Sequence, residues 1–186
     1  LLQGVSIYLI GMMGSGKSTV GHKLAKKLNY RFIDLDNLIE KISKQSIKDI
    51  FNQQGEAFFR DLESQVLAET SAYTRTVVAT GGGIVLRRDN WSYLRHGLII
   101  WLDAPIEILI SRLSHDKNRP LLQVDDPVQV LAEILEKRLL LYQQADLTIH
   151  QNQGQSADQL AQEIITKIPT VLKPQLNGPP PPEELN

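Results

Sequence analysis

One domain is what 186 residues suggest, at about 150 residues per domain, and a chain this long can bury roughly 70% of its unfolded surface without staples. A formal net charge of −1 removes any global pull toward nucleic acid or an anionic membrane, so any basic chemistry must be local. The absence of cysteine excludes disulfides and thiol catalysis, and no apolar run approaches the ~18 residues of a membrane span.

The sequence opens on Leu1-Leu2-Gln3, with no initiator methionine and no signal-peptide pattern, as expected of a trimmed chain. The expected compartment is the cytoplasm, with a plastid stroma as the alternative if a transit segment was removed. Val5 to Ile10 is an apolar run that reads as a buried strand. Gly11-Met12-Met13-Gly14-Ser15-Gly16-Lys17-Ser18 follows, and then a helical pattern to about Asn29 with Val20, Leu24 and Leu28 on one stripe. Strand, glycine loop and helix are the context that G-x-x-x-x-G-K-S/T requires. The glycines let successive N–H groups form a nest, and the helix N-terminus adds positive potential. Lys17 can then reach the β- and γ-phosphates of a nucleotide, while the Ser18 hydroxyl is placed for Mg²⁺.

Arg31-Phe32-Ile33 begins a second strand that runs into Asp34-Leu35-Asp36. Strand spacing predicts both carboxylates on one face, about 6–7 Å apart, one for the metal shell and one for an attacking hydroxyl. A strand end followed by an aspartate N-cap accounts for the same residues. Helical patterns follow over 37–42 and 46–52, the second with Ser46 as N-cap. Gly55 breaks the pattern, and a longer helix runs from about Glu56 to Ala72 with Phe58, Leu62, Val66 and Leu67 as its apolar face. Arg60 and Glu63 share a face of it, as a plain surface ion pair also would.

Thr76 to Thr80 is a third strand that leads into Gly81-Gly82-Gly83. Three glycines cost backbone entropy, which implies that something approaches that backbone closely; a flexible loop is the alternative. Arg88 to Arg95 reads as a short helix, and Leu98 to Leu102 as a fourth strand, apolar throughout as a central parallel strand is. Pro105 is expected at the first position of a helix over Ile106 to Leu113. His115 to Asp126 is polar, carries Arg119-Pro120, and reads as a mobile loop. Val128 to Gln144 is a long helix bearing Lys137, Arg138 and Tyr142. Leu147 to Ile149 is a fifth strand and Ala157 to Ile168 a last helix. From Pro169 the pattern dissolves, and 169–186, with Pro179 to Pro182, is expected to be a disordered tail. Strands alternating with helices imply an α/β domain with a parallel sheet.

The phosphate loop, D-x-D at Asp34 and Asp36, G-E-x-x-F-R at Gly55 to Arg60, the triple glycine, R-P-L-L at Arg119 to Leu122 and R-x-x-x-Y at Arg138 to Tyr142 together resemble the shikimate kinases. These belong to the nucleoside-monophosphate-kinase-like P-loop enzymes, and the resemblance covers about Ile7 to Ile165. It implies a three-layer P-loop kinase fold with a central five-stranded parallel sheet, a domain over 1–168 and a mobile lid at about 115–125. The implied reaction is ATP-dependent phosphorylation of the 3-hydroxyl of shikimate, on the way to chorismate and the aromatic amino acids.

By the same resemblance, Gly14, Ser15, Gly16, Lys17, Ser18 and Thr19 bind nucleotide, with Arg112 near the adenine and Arg119 reaching the phosphates from the lid. Ser18 holds Mg²⁺ directly, and Asp34 supports it through water. Asp36, Arg60, Gly81, Gly82, Gly83 and Arg138 bind shikimate, Glu63 holds Arg60, and Phe51 and Phe59 line the substrate ring. Lys17, Asp36 and Arg119 are the implied catalytic residues. ATP and shikimate are the expected partners of a monomer that binds neither nucleic acid nor membrane. One departure is His150, which stands where the family usually has an aspartate, at the nucleotide end. His22, His96 and His115 show no paired metal spacing and are assigned to the surface. A gluconate kinase of similar fold and a related module without catalysis are the alternatives; a GTP switch lacks its N-K-x-D motif.

Overall fold

The structure, a computed structural model, describes residues 2–114 and 126–172. Strands β1 (Ile7–Ile10), β2 (Arg31–Asp34), β3 (Thr76–Ala79), β4 (Leu98–Asp103) and β5 (Leu147–His150) form one sheet in the order β2-β3-β1-β4-β5. Every neighbouring pair is parallel. Parallel neighbours cannot be joined by hairpins, so the connections carry helices. These are α1 (Lys17–Leu28), α2 (Leu35–Ser43), α3 (Ile47–Ser71), α4 (Asn90–Leu94), α5 (Ile106–Leu113), α6 (Pro127–Tyr142) and the closing α7 (Ala157–Val171).

Period-two alternation splits the core into two layers. Ile7 and Leu9 of β1 pack with Val20 and Leu24 of α1 and with Leu160 and Ile164 of α7. Tyr8 and Ile10 face the other way, toward Leu67 of α3 and toward Leu131 and Tyr142 of α6. Helices on both faces of the sheet make the expected three layers. Because β1 lies between β3 and β4, the connections diverge at its carboxyl end and open a crevice there, where ligands of such sheets bind. Among the described residues, no helix is long and apolar enough to cross a membrane.

Several expectations need correction. Asp36 is not on the strand: β2 ends at Asp34, and Asp36 is the second residue of α2. The break expected at Gly55 is present, since α3 bends there where Gly55 takes the non-helical φ 83° and ψ 171°. Phe58 is exposed, and Phe59 takes the inward position instead. Pro105 is the N-cap of α5 and not its first residue. The last helix passes through Pro169 to Val171. A short 3₁₀ turn, Ile84–Leu86, follows the triple glycine and was not anticipated. Segment 115–125, with His115 and Arg119, and the tail from 173 onward lie outside the described residues.

Candidate active site

The phosphate loop leaves β1 and enters α1 at the crevice. Gly11, Gly14 and Gly16 have φ of 140°, 78° and 85°, where a side chain would strain the backbone, so the loop's curl depends on them. Gly16 is the N-cap of α1 without any side-chain cap, which leaves the first N–H groups of the helix to an external acceptor. Lys17 is buried, and its ammonium donates to the carbonyls of Gly11 at 2.9 Å and Met12 at 2.8 Å. Its charge is thereby held inside the loop before any phosphate arrives.

Ser18 Oγ donates to Asp34 Oδ2 at 2.5 Å. The same carboxylate caps α2 by accepting from the Asn37 N–H at 3.1 Å, so the N-cap considered for this segment is present at Asp34. A hydroxyl and a carboxylate at the loop mouth are hard oxygen donors, which suits Mg²⁺. Among the described residues there is no cluster of three metal-ligating side chains. Mg²⁺ does not need one, because it keeps several waters and takes phosphate oxygens as ligands.

Across the crevice lies the triple glycine. None of Gly81, Gly82 and Gly83 has positive φ, so what glycine supplies here is space rather than conformation. A methyl group at Gly83 would collide with the Arg60 guanidinium. One at Gly81 would collide with Glu63 Oε1 and stand 3.2 Å from Asp36 Oδ1. The close approach inferred from the sequence is therefore made first by the protein's own charged side chains.

Arg60 projects from α3 and donates to Glu63 Oε2 at 2.8 Å and to Glu56 Oε1 at 3.1 Å, with its guanidinium 5.2 Å from the Phe59 ring centre. Phe59 in turn packs on Phe51 at 4.8 Å between ring centres. Glu63 is fully buried, and its Oε1 has no hydrogen-bond partner. Burial pushes its carboxyl above the ordinary carboxylate range, against the opposing pull of Arg60. From α6, Arg138 donates to the Gly82 carbonyl at 3.1 Å, and the Tyr142 hydroxyl donates to the same oxygen at 2.7 Å. Tyr142 is buried and stacks on Trp101. The sequence put Tyr142 one helical turn from Arg138 but gave it no function; it fixes the glycine floor against α6.

Arg112 of α5 approaches the loop from behind, donating to the Gly14 carbonyl at 3.1 Å and to Gln151 Oε1 at 3.0 Å. With Pro105, Ile108, Gln151 and Gly154 it lines an open cavity of about 630 Å³ next to the phosphate loop. His150, the departure noted above, turns its Nδ1 to Asp103 Oδ2 at 2.8 Å. Thr19 is exposed at the start of α1. Of the expected site residues, only Arg119 is outside the description.

A phosphate nest therefore faces a glycine floor bounded by two arginines and two carboxyl groups. A family model described as shikimate kinase matches residues 13–169. A shikimate kinase of Nostoc sp. is 58% identical over 173 residues, covering 93% of this chain and 96% of its own. Another, of Rippkaea orientalis, is 57% identical over 178 residues, covering 96% and 95%. The solved shikimate kinase of Acinetobacter baumannii, in complex with shikimate, superposes with a TM-score of 0.86 at 42% identity, over 89% of this chain and 93% of that one.

The chain belongs to the shikimate kinase family.

It has shikimate kinase activity, a step toward the aromatic amino acids, with ATP as phosphoryl donor. Membership of the family sets aside the gluconate-kinase alternative. In this shikimate kinase the sheet order and the five parallel strands agree with the expected fold.

Proposed function

We propose that this shikimate kinase holds ATP on the phosphate loop and shikimate on the glycine floor, and passes the γ-phosphoryl group to the 3-hydroxyl. The observation carrying this reading is that Arg60 and Arg138, from different helices, both reach Gly81 to Gly83 beside the loop. Shikimate is a small carboxylate with hydroxyls, and two planar guanidinium groups can pair with both carboxylate oxygens. Glu63 holds Arg60 in place, Phe51 and Phe59 bound the ring, and the N–H groups of the three glycines suit its hydroxyls. Asp36 orients the 3-hydroxyl and accepts its proton.

On the donor side, the N–H groups from Gly14 to Thr19 and the Lys17 ammonium hold the β- and γ-phosphates, while Arg112 meets the adenine. Mg²⁺ would be held by the Ser18 hydroxyl and, through water, by Asp34; when bound it neutralises charge on the phosphates. Arg119 reaches the phosphates from a lid over about 115–125, in a domain spanning 1–168 with a separate tail. The reading extends to a cytoplasmic monomer, which its cysteine-free sequence fits.

The direct test mixes the protein with ATP, Mg²⁺ and shikimate and follows ADP release, with gluconate as a control acceptor. Shikimate-dependent release is expected, and release with gluconate alone would sink the assignment. Two variants refine it. Arg138→Lys should raise the shikimate KM about tenfold while kcat stays within about threefold, because the carboxylate keeps its charge throughout and an ammonium cannot form the fork. Gly83→Ala should also raise that KM about tenfold, by pushing the Arg60 guanidinium aside. Its circular dichroism should match wild type, and an unchanged KM would mean that Arg60 does not hold the acceptor.

A further inference from the structure

Gln151 carries no motif and belongs to none of the groups assigned above, yet it is buried immediately after β5. Its backbone N–H donates to the Asp103 carbonyl at 2.8 Å, which anchors it to the end of β4. Its carboxamide is used at both ends. Nε2 donates to the Ser15 carbonyl at 2.8 Å, and Oε1 accepts from Arg112 Nη1 at 3.0 Å. This orientation is dictated by the partners, since a carbonyl can only accept and a guanidinium can only donate.

The contact with Ser15 has a geometric consequence for the nest. In a trans peptide the C=O and the following N–H point in opposite directions. Holding the Ser15 carbonyl outward, on the side of β5, therefore aims the Gly16 N–H inward. Gly16 is the uncapped N-cap of α1, with φ 85° and ψ 17°, so no side chain of the helix fixes that peptide plane from within. The contact with Arg112 does the corresponding work on the other part of the nucleotide site. Arg112 and Gln151 both line the 630 Å³ cavity beside the loop. Arg112 also holds the Gly14 carbonyl at 3.1 Å, so the three groups form one braced unit.

We propose that Gln151 is a positioning residue for the nucleotide, one carboxamide that sets the Ser15–Gly16 peptide toward the phosphates and the Arg112 guanidinium toward the base. The proposal rests on the reading of the glycine loop as the ATP site. It goes further by making the phosphate half and the base half of that site depend on a single residue outside the loop.

The experiment compares wild type, Gln151→Leu and Gln151→Glu by calorimetric titration with ADP, with inorganic tripolyphosphate and, separately, with shikimate in the absence of nucleotide. Gln151→Leu leaves the Ser15 carbonyl and Arg112 without their partner, and both ADP and tripolyphosphate should bind about tenfold more weakly. Gln151→Glu keeps an acceptor for Arg112 but sets a carboxylate oxygen against the Ser15 carbonyl. Tripolyphosphate binding should therefore fall at least as far, even though the arginine remains paired. Shikimate binding should stay within about twofold in both variants, because Gln151 is not part of the acceptor site. The proposal is overturned if either variant binds tripolyphosphate like wild type. It is equally overturned if all three ligands weaken together, since that would mean a general loosening of the fold. Binding by wild type tests the ATP reading separately: failure there removes the site itself, whereas failure confined to the variants removes only the role of Gln151.

Discussion

Lys17→Met is expected to lower turnover by at least ~10²-fold while leaving helical content close to wild type. The structural half of this expectation follows from where Lys17 sits. It is the first residue of α1, where a positive charge opposes the helix dipole, so removing it does not weaken the helix electrostatically. Methionine retains most of the aliphatic stem that the loop buries. What is lost is the ammonium, already held by the Gly11 and Met12 carbonyls in the resting loop, so little reorganisation is needed when phosphate arrives. A preorganised charge of this kind is worth about 3 kcal/mol in the transition state, which corresponds to roughly two orders of magnitude in rate. Steady-state turnover with saturating ATP and shikimate checks it. Near-wild-type turnover would mean that the phosphate loop is not where the γ-phosphoryl group is transferred.

The phosphate loop was legible in the sequence because its requirements are local: glycines at fixed offsets, a preceding strand and a following helix. The sheet was legible for a similar reason, since continuous apolar runs between helical patterns leave a parallel sheet as the consistent arrangement. Asp36 shows where that reasoning fails. Strand periodicity was carried two residues too far, although Asp34, a preferred residue type for an N-cap, already marked the change to helix. At Pro169 the error was the reverse. Proline there gives up the N–H that would donate to the Ile165 carbonyl, but Ile168, Val171 and Leu172 still pack on the core, so α7 continues through it. The triple glycine announced a close approach without naming the approaching groups, because Arg60 and Glu63 arrive from a helix that the sequence places before the strand. Gln151 was invisible for the strongest version of this reason. Its partners, Ser15 and Arg112, are 136 and 39 residues away, and no spacing rule connects them.

The acceptor side supports the second large effect. Asp36→Asn should lower kcat by roughly 10²-fold or more and change the shikimate KM far less. Asn keeps the shape of the side chain and can still hydrogen-bond a hydroxyl, so ground-state binding has little reason to change. It cannot accept the proton that leaves as the phosphoryl group arrives, and that transfer belongs to the transition state alone. The fold should tolerate the change, since Asn keeps the volume and shape of the side chain in the first turn of α2. One competitor is close at hand. Glu63 Oε1 is buried without a hydrogen-bond partner, against the same Gly81 that Asp36 faces. Burial holds its carboxyl above the ordinary range, but its other oxygen is tied to Arg60. Steady-state kinetics with shikimate varied at saturating ATP separates the two. If Asp36→Asn keeps kcat within about threefold while Glu63→Gln lowers it by about 10²-fold, the proton goes to Glu63 and the role given to Asp36 is wrong. If Asp36→Asn retains kcat and Arg138→Lys also leaves the shikimate KM untouched, the acceptor is bound away from the glycine floor, and the division of roles proposed for the whole site falls with it.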